Sequence, residues 1–112
     1  MDIANVFKAL ADETRLRILN LLKYGELCVC DVEDVLSIQQ SNASRHLNKL
    51  KMAGIIVSEK KSQWVYYRFN DDIFLKYPFL LTIINEELEK ISVCEQDLLH
   101  LKDRKASGSF CD

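Results

Sequence analysis

Proline and glycine are scarce in this chain, with one of the first and three of the second in 112 residues. It has no glycine-rich phosphate loop, no proline- or glycine-rich linker, no low-complexity tract and no internal repeat. Long apolar runs are missing too. WVYY (64–67) and FLLTII (79–84) fall far short of the roughly 18 residues needed to cross a bilayer. The opening MDIANVFKALADE is amphipathic and acidic rather than basic and then apolar, so it does not read as a secretory signal. The expected setting is the cytoplasm, without a membrane partner. There the four cysteines stay reduced and read as ligands or sensors rather than disulfides. An excess of positive charge is also absent. The 15 basic and 17 acidic side chains give a net charge of −2, which argues against a generally basic nucleic-acid binder.

The distribution of charge says more than its sum. Residues 1–37 carry four basic and seven acidic side chains, residues 38–68 six and one, and residues 69–112 five and nine. The net charges of the three stretches are −3, +5 and −4, so the middle third is the expected electrostatic footprint. At 48% apolar and 29% charged residues, the composition is that of one globular domain. We place that domain at 1–105 and a small, polar, flexible tail at 106–112.

Ile3, Val6, Phe7 and Leu10 recur at helical spacing, giving a first helix from about Asp2 to Leu10. Asp12 caps a second helix, Glu13 to about Lys23, with Leu16, Leu19 and Leu22 inward and Gly25 ending it. These two helices read mostly as scaffold, with Arg15 and Arg17 able to reach phosphate. ELCVCD (26–31) follows. In a helix Cys28 and Cys30 would diverge by about 200°, whereas in an extended segment i and i+2 share one side. The expectation is therefore an extended Leu27–Cys30 that turns both sulfurs toward one soft ion. Asp31 then N-caps a short helix to Leu36, whose positive end favours thiolate.

After the turn Ser37–Gln40 comes SNASRHLNKL (41–50). Ala43, Leu47 and Leu50 lie on one side of this helix and Ser41, Ser44, Arg45 and Asn48 on another. Small polar groups backed by an arginine suit a major groove, which is wide enough for a helix. Ala53-Gly54 stops the helix. IIVSEKK, SQ and WVYYRFN then read as a two-stranded wing, with Lys60, Lys61 and Gln63 near its tip to lie along backbone or in the minor groove. Trp64, Tyr66 and Tyr67 read as packing residues. Pro78 fits the first turn of a long last helix reaching about Lys105. Its Leu81, Ile84, Leu88, Ile91 and Leu98 form a stripe with little left to cover it, so dimerisation is the natural use. The expected fold class is mainly α with a β-hairpin wing, a winged helix-turn-helix that dimerises through its terminal helices.

The residues also resemble the ArsR/SmtB family of metal-responsive bacterial repressors, over residues 3 to about 100. ALADETRLRIL (9–19) is similar to the family's second-helix signature, with Glu13 where proline is common. ELCVCD resembles the metal-binding box of arsenic- and cadmium-responsive members, SRHLNKLKMAGII (44–56) the recognition-helix signature, and KKSQWVYYRFN the wing. The resemblance implies a homodimeric repressor that sits on double-stranded operator DNA, an inverted repeat, and leaves when a metal or metalloid binds. It places DNA contacts on Gln40, Ser41, Ser44 and Arg45, with Lys49, Lys60, Lys61 and Gln63 adding to the set and His46 in a positioning role.

Inducer ligands fall on Cys28 and Cys30. Arsenic-responsive relatives often carry a third cysteine where this chain has Glu33, so a third ligand would be Cys94 or Cys111, or absent. With two thiols alone, a methylated trivalent arsenical would be satisfied. The expected inducer is As(III) or Sb(III), or such an arsenical, and DNA binding needs no cofactor. Cadmium-responsive relatives add N-terminal cysteines, and residues 1–25 contain none. Zinc sensors use His and Asp pairs on the last helix, where His100 stands alone and reads as a surface residue. Rival readings are a cadmium- or lead-responsive repressor, a thiol redox switch, a plain dimerisation module and a CxC dithiol oxidoreductase. The last lacks an acid–base partner and a strand-helix-strand pattern, so no enzyme is expected.

Overall fold

Aspartates open the first two helices of the computed structural model, which describes residues 2–108. Asp2 accepts the Asn5 N–H at 2.8 Å ahead of α1 (Ile3–Leu10), and Asp12 accepts the Arg15 N–H at 3.1 Å ahead of α2 (Glu13–Leu22). Gly25, with φ of 135°, then reverses the chain into β1 (Leu27–Cys28). The helix-turn-helix follows as α3 (Val29–Leu36) and α4 (Gln40–Met52). Left-handed Ser37 (φ 55°) closes α3, its N–H reaching the Glu33 carbonyl. Gly54 (φ 79°) closes α4, and the Ile55 N–H reaches back to the Leu50 carbonyl at 3.1 Å. That wrap requires a left-handed residue just past the helix, where glycine carries no Cβ penalty.

The hairpin is β2 (Ile56–Lys61) and β3 (Trp64–Phe69), antiparallel, with Lys61 opposite Trp64 and a two-residue turn at Ser62-Gln63. Ser62 takes φ of 60°, the left-handed first position of a II′-type hairpin turn. β1 adds a third strand, giving the order β1-β3-β2, with Cys28 opposite Tyr66 and Leu27 opposite Tyr67. The strand that ends in the first thiol is thus an edge strand of the wing sheet.

The last third departs from expectation. Instead of one helix from Pro78 to Lys105, the chain forms α5 (Asp71–Lys76) and α6 (Phe79–Thr82). A π turn at Ile83–Glu87 and a 3₁₀ turn at Leu88–Lys90 lead into α7 (Ser92–Ala106). The helix breaks at Ile91, whose backbone is extended (φ −93°, ψ 119°). The break folds α7 back onto α2 and α3, so the predicted stripe is largely consumed within the subunit. Ile84 and Leu88 are fully buried, together with Cys94 and Leu101 of α7. They join Val6, Ile18, Leu19, Leu21, Leu47, Leu50 and Ile55 in one core. The large apolar side chains that remain exposed include Ile3 and Phe7 of α1, Leu75 of α5 and Leu81 of α6, and Phe7 stacks on Phe79 at 5.3 Å. Among the described residues no helix is long and apolar enough to cross a membrane.

Candidate functional site

The thiol pair sits where β1 becomes α3. Extension stops at Cys28 rather than Cys30, and the helix starts at Val29, two residues earlier than the sequence suggested. Asp31 is accordingly not the N-cap. Cys28 holds that position with φ −90° and ψ 168°, and the Asp31 carboxylate reaches back to accept the Cys28 N–H at 3.0 Å. This use of the third helical residue, the carboxylate half of a capping box, ties the N-cap amide to the first turn of α3. The sulfurs therefore converge for a reason other than strand alternation. An N-cap side chain folds over the first helical turn, where Cys30 lies, and the two Sγ atoms are 2.6 Å apart. Cys28, Cys30 and Asp31 place one ligand-type atom each within 4.8 Å of one another.

The Asp31 carboxylate is shared. Its second oxygen accepts Arg104 Nε of α7 at 2.9 Å, while Arg104 Nη1 donates to Asp34 at 3.1 Å. His100, one turn earlier on α7, has Nδ1 at 3.1 Å from the Val35 carbonyl and Nε2 at 3.8 Å from Asp34. Burial works against the charge on Arg104, but the hydrogen bond to Asp31 and the fields of Asp31 and Asp34 hold its pKa above the ordinary arginine value. His100 is thus at the surface, as expected, and also part of a four-residue clasp between α7 and the thiol helix.

The other cysteines lie elsewhere. Cys94 is buried against α2, and its carbonyl accepts Asn20 Nδ2 at 3.0 Å. Burial, with the Asp97 charge nearby, pushes its thiol pKa up. It does not join Cys28 and Cys30 in the cluster among the described residues. Cys111 lies outside them.

On α4, Gln40, Ser41, Ser44, Arg45 and Lys49 are exposed along one flank, while Ala43, Leu47 and Leu50 are buried. Lys60, Lys61 and Gln63 are exposed at the wing tip, and Lys61 pairs with Glu26, just ahead of the thiol strand. That hydrogen bond to Glu26 raises the Lys61 pKa. His46 is 4% exposed and faces inward. Its Nδ1 is 3.2 Å from Arg15 Nη1 and 3.8 Å from Asp12 Oδ1. In its neutral form with the proton on Nε2, the ring accepts from the guanidinium at Nδ1. Burial lowers the His46 pKa, against the pull of Asp12.

Arg15 is anchored further by the Ala9 carbonyl (2.6 Å) and the Lys8 carbonyl (3.2 Å). Arg17 grips the buried Asp97 with two hydrogen bonds, at 2.8 and 2.9 Å, which raise its pKa. Both arginines make internal contacts, in keeping with a scaffold role for α2.

This arrangement has counterparts among known proteins. Residues 12–58 match the model of the bacterial regulatory protein arsR family. The arsenical resistance operon repressor of Escherichia coli K12 is 48% identical over 111 residues, covering 95% of this chain and 92% of that protein. The chain belongs to the arsR family. This arsR-family protein also resembles a cadmium resistance transcriptional regulatory protein CadC homolog of Staphylococcus aureus. The two are 47% identical over 73 residues, which is 64% of this chain and 60% of that protein. Across three such shorter matches the chain spans only 54% to 61% of the relatives' length.

Among solved structures, the homodimeric winged helix-turn-helix DNA-binding domain Mb0332 of Mycobacterium bovis superposes with a TM-score of 0.64. It is 31% identical, and the match covers 80% of this chain and 84% of that one. The fold is a winged helix-turn-helix, and the family is one of transcriptional regulators, which removes the dithiol oxidoreductase reading.

The residues that sequence reasoning missed are Arg104 and Asp34. A cation 73 positions beyond its partner carries no local signal, and only the break at Ile91 brings α7 back over α3.

Proposed function

We propose that this arsR-family protein is a cytoplasmic repressor that holds operator DNA as a homodimer and releases it when a trivalent arsenical or antimonite takes Cys28 and Cys30. The observation that carries the reading is the position of the thiols. Both sulfurs lie within 4.8 Å of each other and of an Asp31 oxygen, where a wing strand runs directly into the helix-turn-helix. Soft thiolates select soft ions. With arsenite, two As–O bonds break and two As–S bonds form. The two thiol protons leave with the two hydroxyl groups as water, and arsenic stays trivalent. The third arsenic position keeps its hydroxyl or, in a methylated arsenical, its carbon.

In the DNA-bound state Gln40, Ser41, Ser44 and Arg45 enter the major groove. Lys49, Lys60, Lys61 and Gln63 meet backbone or minor groove, and His46 sets the angle of α4 from inside. Lys61 exchanges Glu26 for phosphate. Two such helices about 34 Å apart suit an inverted repeat. The subunits meet through the apolar side chains left outside the core, Ile3, Phe7 and Leu81 among them.

Chelation pulls on the start of α3 and on β1 together, so wing and reading helix shift as a pair. Release requires that the arsenical bind the free dimer more tightly than the bound one, with a coupling of about 1–3 kcal/mol that is reciprocal. An anaerobic titration of the dimer on its own upstream DNA, with arsenite and with a methylated trivalent arsenical, tests this. Release that is lost in Cys28→Ser is expected. Unchanged DNA affinity at saturating arsenical would sink the reading.

The adjacency of two cysteine sulfurs favours a second reading, oxidation of the pair by peroxide. Two thiols then give up two electrons and two protons and the peroxide becomes two waters. DNA release by peroxide without release by arsenicals would select it.

A further inference from the structure

Asp31 is a carboxylate placed among thiols, yet both its oxygens are occupied. One accepts the Cys28 N–H at 3.0 Å and the other Arg104 Nε at 2.9 Å. Neither end of the clasp is loosely held. The Arg104 and Asp31 side chains are only 12% and 15% exposed, and Asp34 and His100 hold the same stretch of α7 against α3. An ion arriving at the two sulfurs therefore meets a carboxylate whose charge is already matched by a guanidinium.

That matters differently for the two kinds of ligand a dithiol attracts. Cadmium and zinc arrive with two positive charges and readily complete their shells with carboxylate oxygen. A trivalent arsenical arrives as a neutral hydroxide, bonds to sulfur, and neither needs the oxygen nor feels strong repulsion from the guanidinium.

Resting on the thiol-ligand reading above, we propose that Arg104 is a specificity-determining residue of this site. By holding Asp31 as a helix clasp, it keeps the carboxylate from serving as a third ligand, so among the described residues the site offers two thiolates only. Arg104 touches no ligand itself and acts through Asp31. The consequence is a bias toward arsenicals over divalent cations, built by a residue 73 positions away from the carboxylate it holds.

The test is a pair of anaerobic binding titrations on the reduced full chain. Cadmium is titrated against a competing chelator and followed by its thiolate charge-transfer absorption. Phenylarsonous acid is followed by loss of titratable thiol. Freeing Asp31 with Arg104→Gln should tighten cadmium about tenfold, the low end of what outer partners of metal ligands contribute. It should leave the arsenical within a few-fold of wild type. Arg104→Lys keeps the charge and should stay near wild type, and adding Asp31→Asn to Arg104→Gln should abolish the gain. Arg17→Gln, which breaks the other arginine–aspartate pair of α7, should not alter the cadmium-to-arsenical ratio.

An unchanged ratio in Arg104→Gln overturns the inference while leaving the arsenical reading intact. So does a weakening of cadmium by Asp31→Asn alone, since Asp31 would then already be a ligand. That single variant also decides the matter if Arg104→Gln does not fold. A wild-type chain that ignores the arsenical defeats the function proposed above, and the cadmium titrations still decide whether Arg104 withholds Asp31.

Discussion

The two helices of the helix-turn-helix are anchored differently. Each buries a short apolar stripe, Val32, Val35 and Leu36 on α3 and Ala43, Leu47 and Leu50 on α4. Their polar anchors separate them. α4 is fixed from inside by His46, buried against Arg15 and Asp12 at the head of α2. α3 is held at its thiol end by Asp31 and Asp34, which reach Arg104 on α7 near the surface. Packing resists small chemical changes at the surface, whereas a charged clasp beside two sulfurs is open to them. A reading helix gains from the first kind of anchor and a sensing helix from the second.

The sharpest way to break this contrast is to cut into the packing of α4. Leu47 is fully buried. Leu47→Ala should cost about 2–5 kcal/mol, read as a lowered denaturation midpoint with little change in slope. Arg104→Gln should cost only about 1 kcal/mol, between an exposed and a buried pair, because Asp31 keeps its bond to the Cys28 amide. Equal losses in the two variants would erase the distinction between the anchors.

The smallest effect is that of pH on His46. Its pKa in the folded state lies below the unfolded value, so the unfolded chain binds more protons as pH falls past about 6.5. Stability should therefore decline on acidification from that point until the folded ring itself is protonated. The slope contributed by this one residue is at most about 1.4 kcal/mol per pH unit. His46→Gln should flatten that part of the profile, whereas Arg104→Gln should not.

Much of this was legible along the chain. Aspartate caps, Gly54 past α4, and apolar spacing at positions 6, 10, 43, 47 and 50 are local signals, and they set α1, α2, α4 and the hairpin nearly where the structure has them. The thiol pair was also visible, because two cysteines separated by one residue ahead of an aspartate form a short-range pattern. Its geometry differs from strand alternation, since the helix start depends on whether Asp31 reaches back to Cys28, a contact that periodicity does not encode.

The last third was the least legible. Leu81, Ile84, Leu88, Ile91 and Leu98 fit a continuous heptad. Whether such a stripe faces a partner or its own core depends on a single extended residue at Ile91 and on the buried surface of α2 and α3 waiting across the fold.

The sequence by itself thus determined the family, the winged helix-turn-helix and the presence of a dithiol, because each rests on neighbours within about one helix or hairpin. The tertiary structure alone decided that Arg15 and Arg17 serve internal contacts, that His46 faces inward and that Cys94 stands apart from the thiol pair. It also decided that Asp31 is held by Arg104. These are pairings between charges or rings far apart in the chain. Their partners are chosen by where the folded elements meet and by the cost of burying a polar group unmatched.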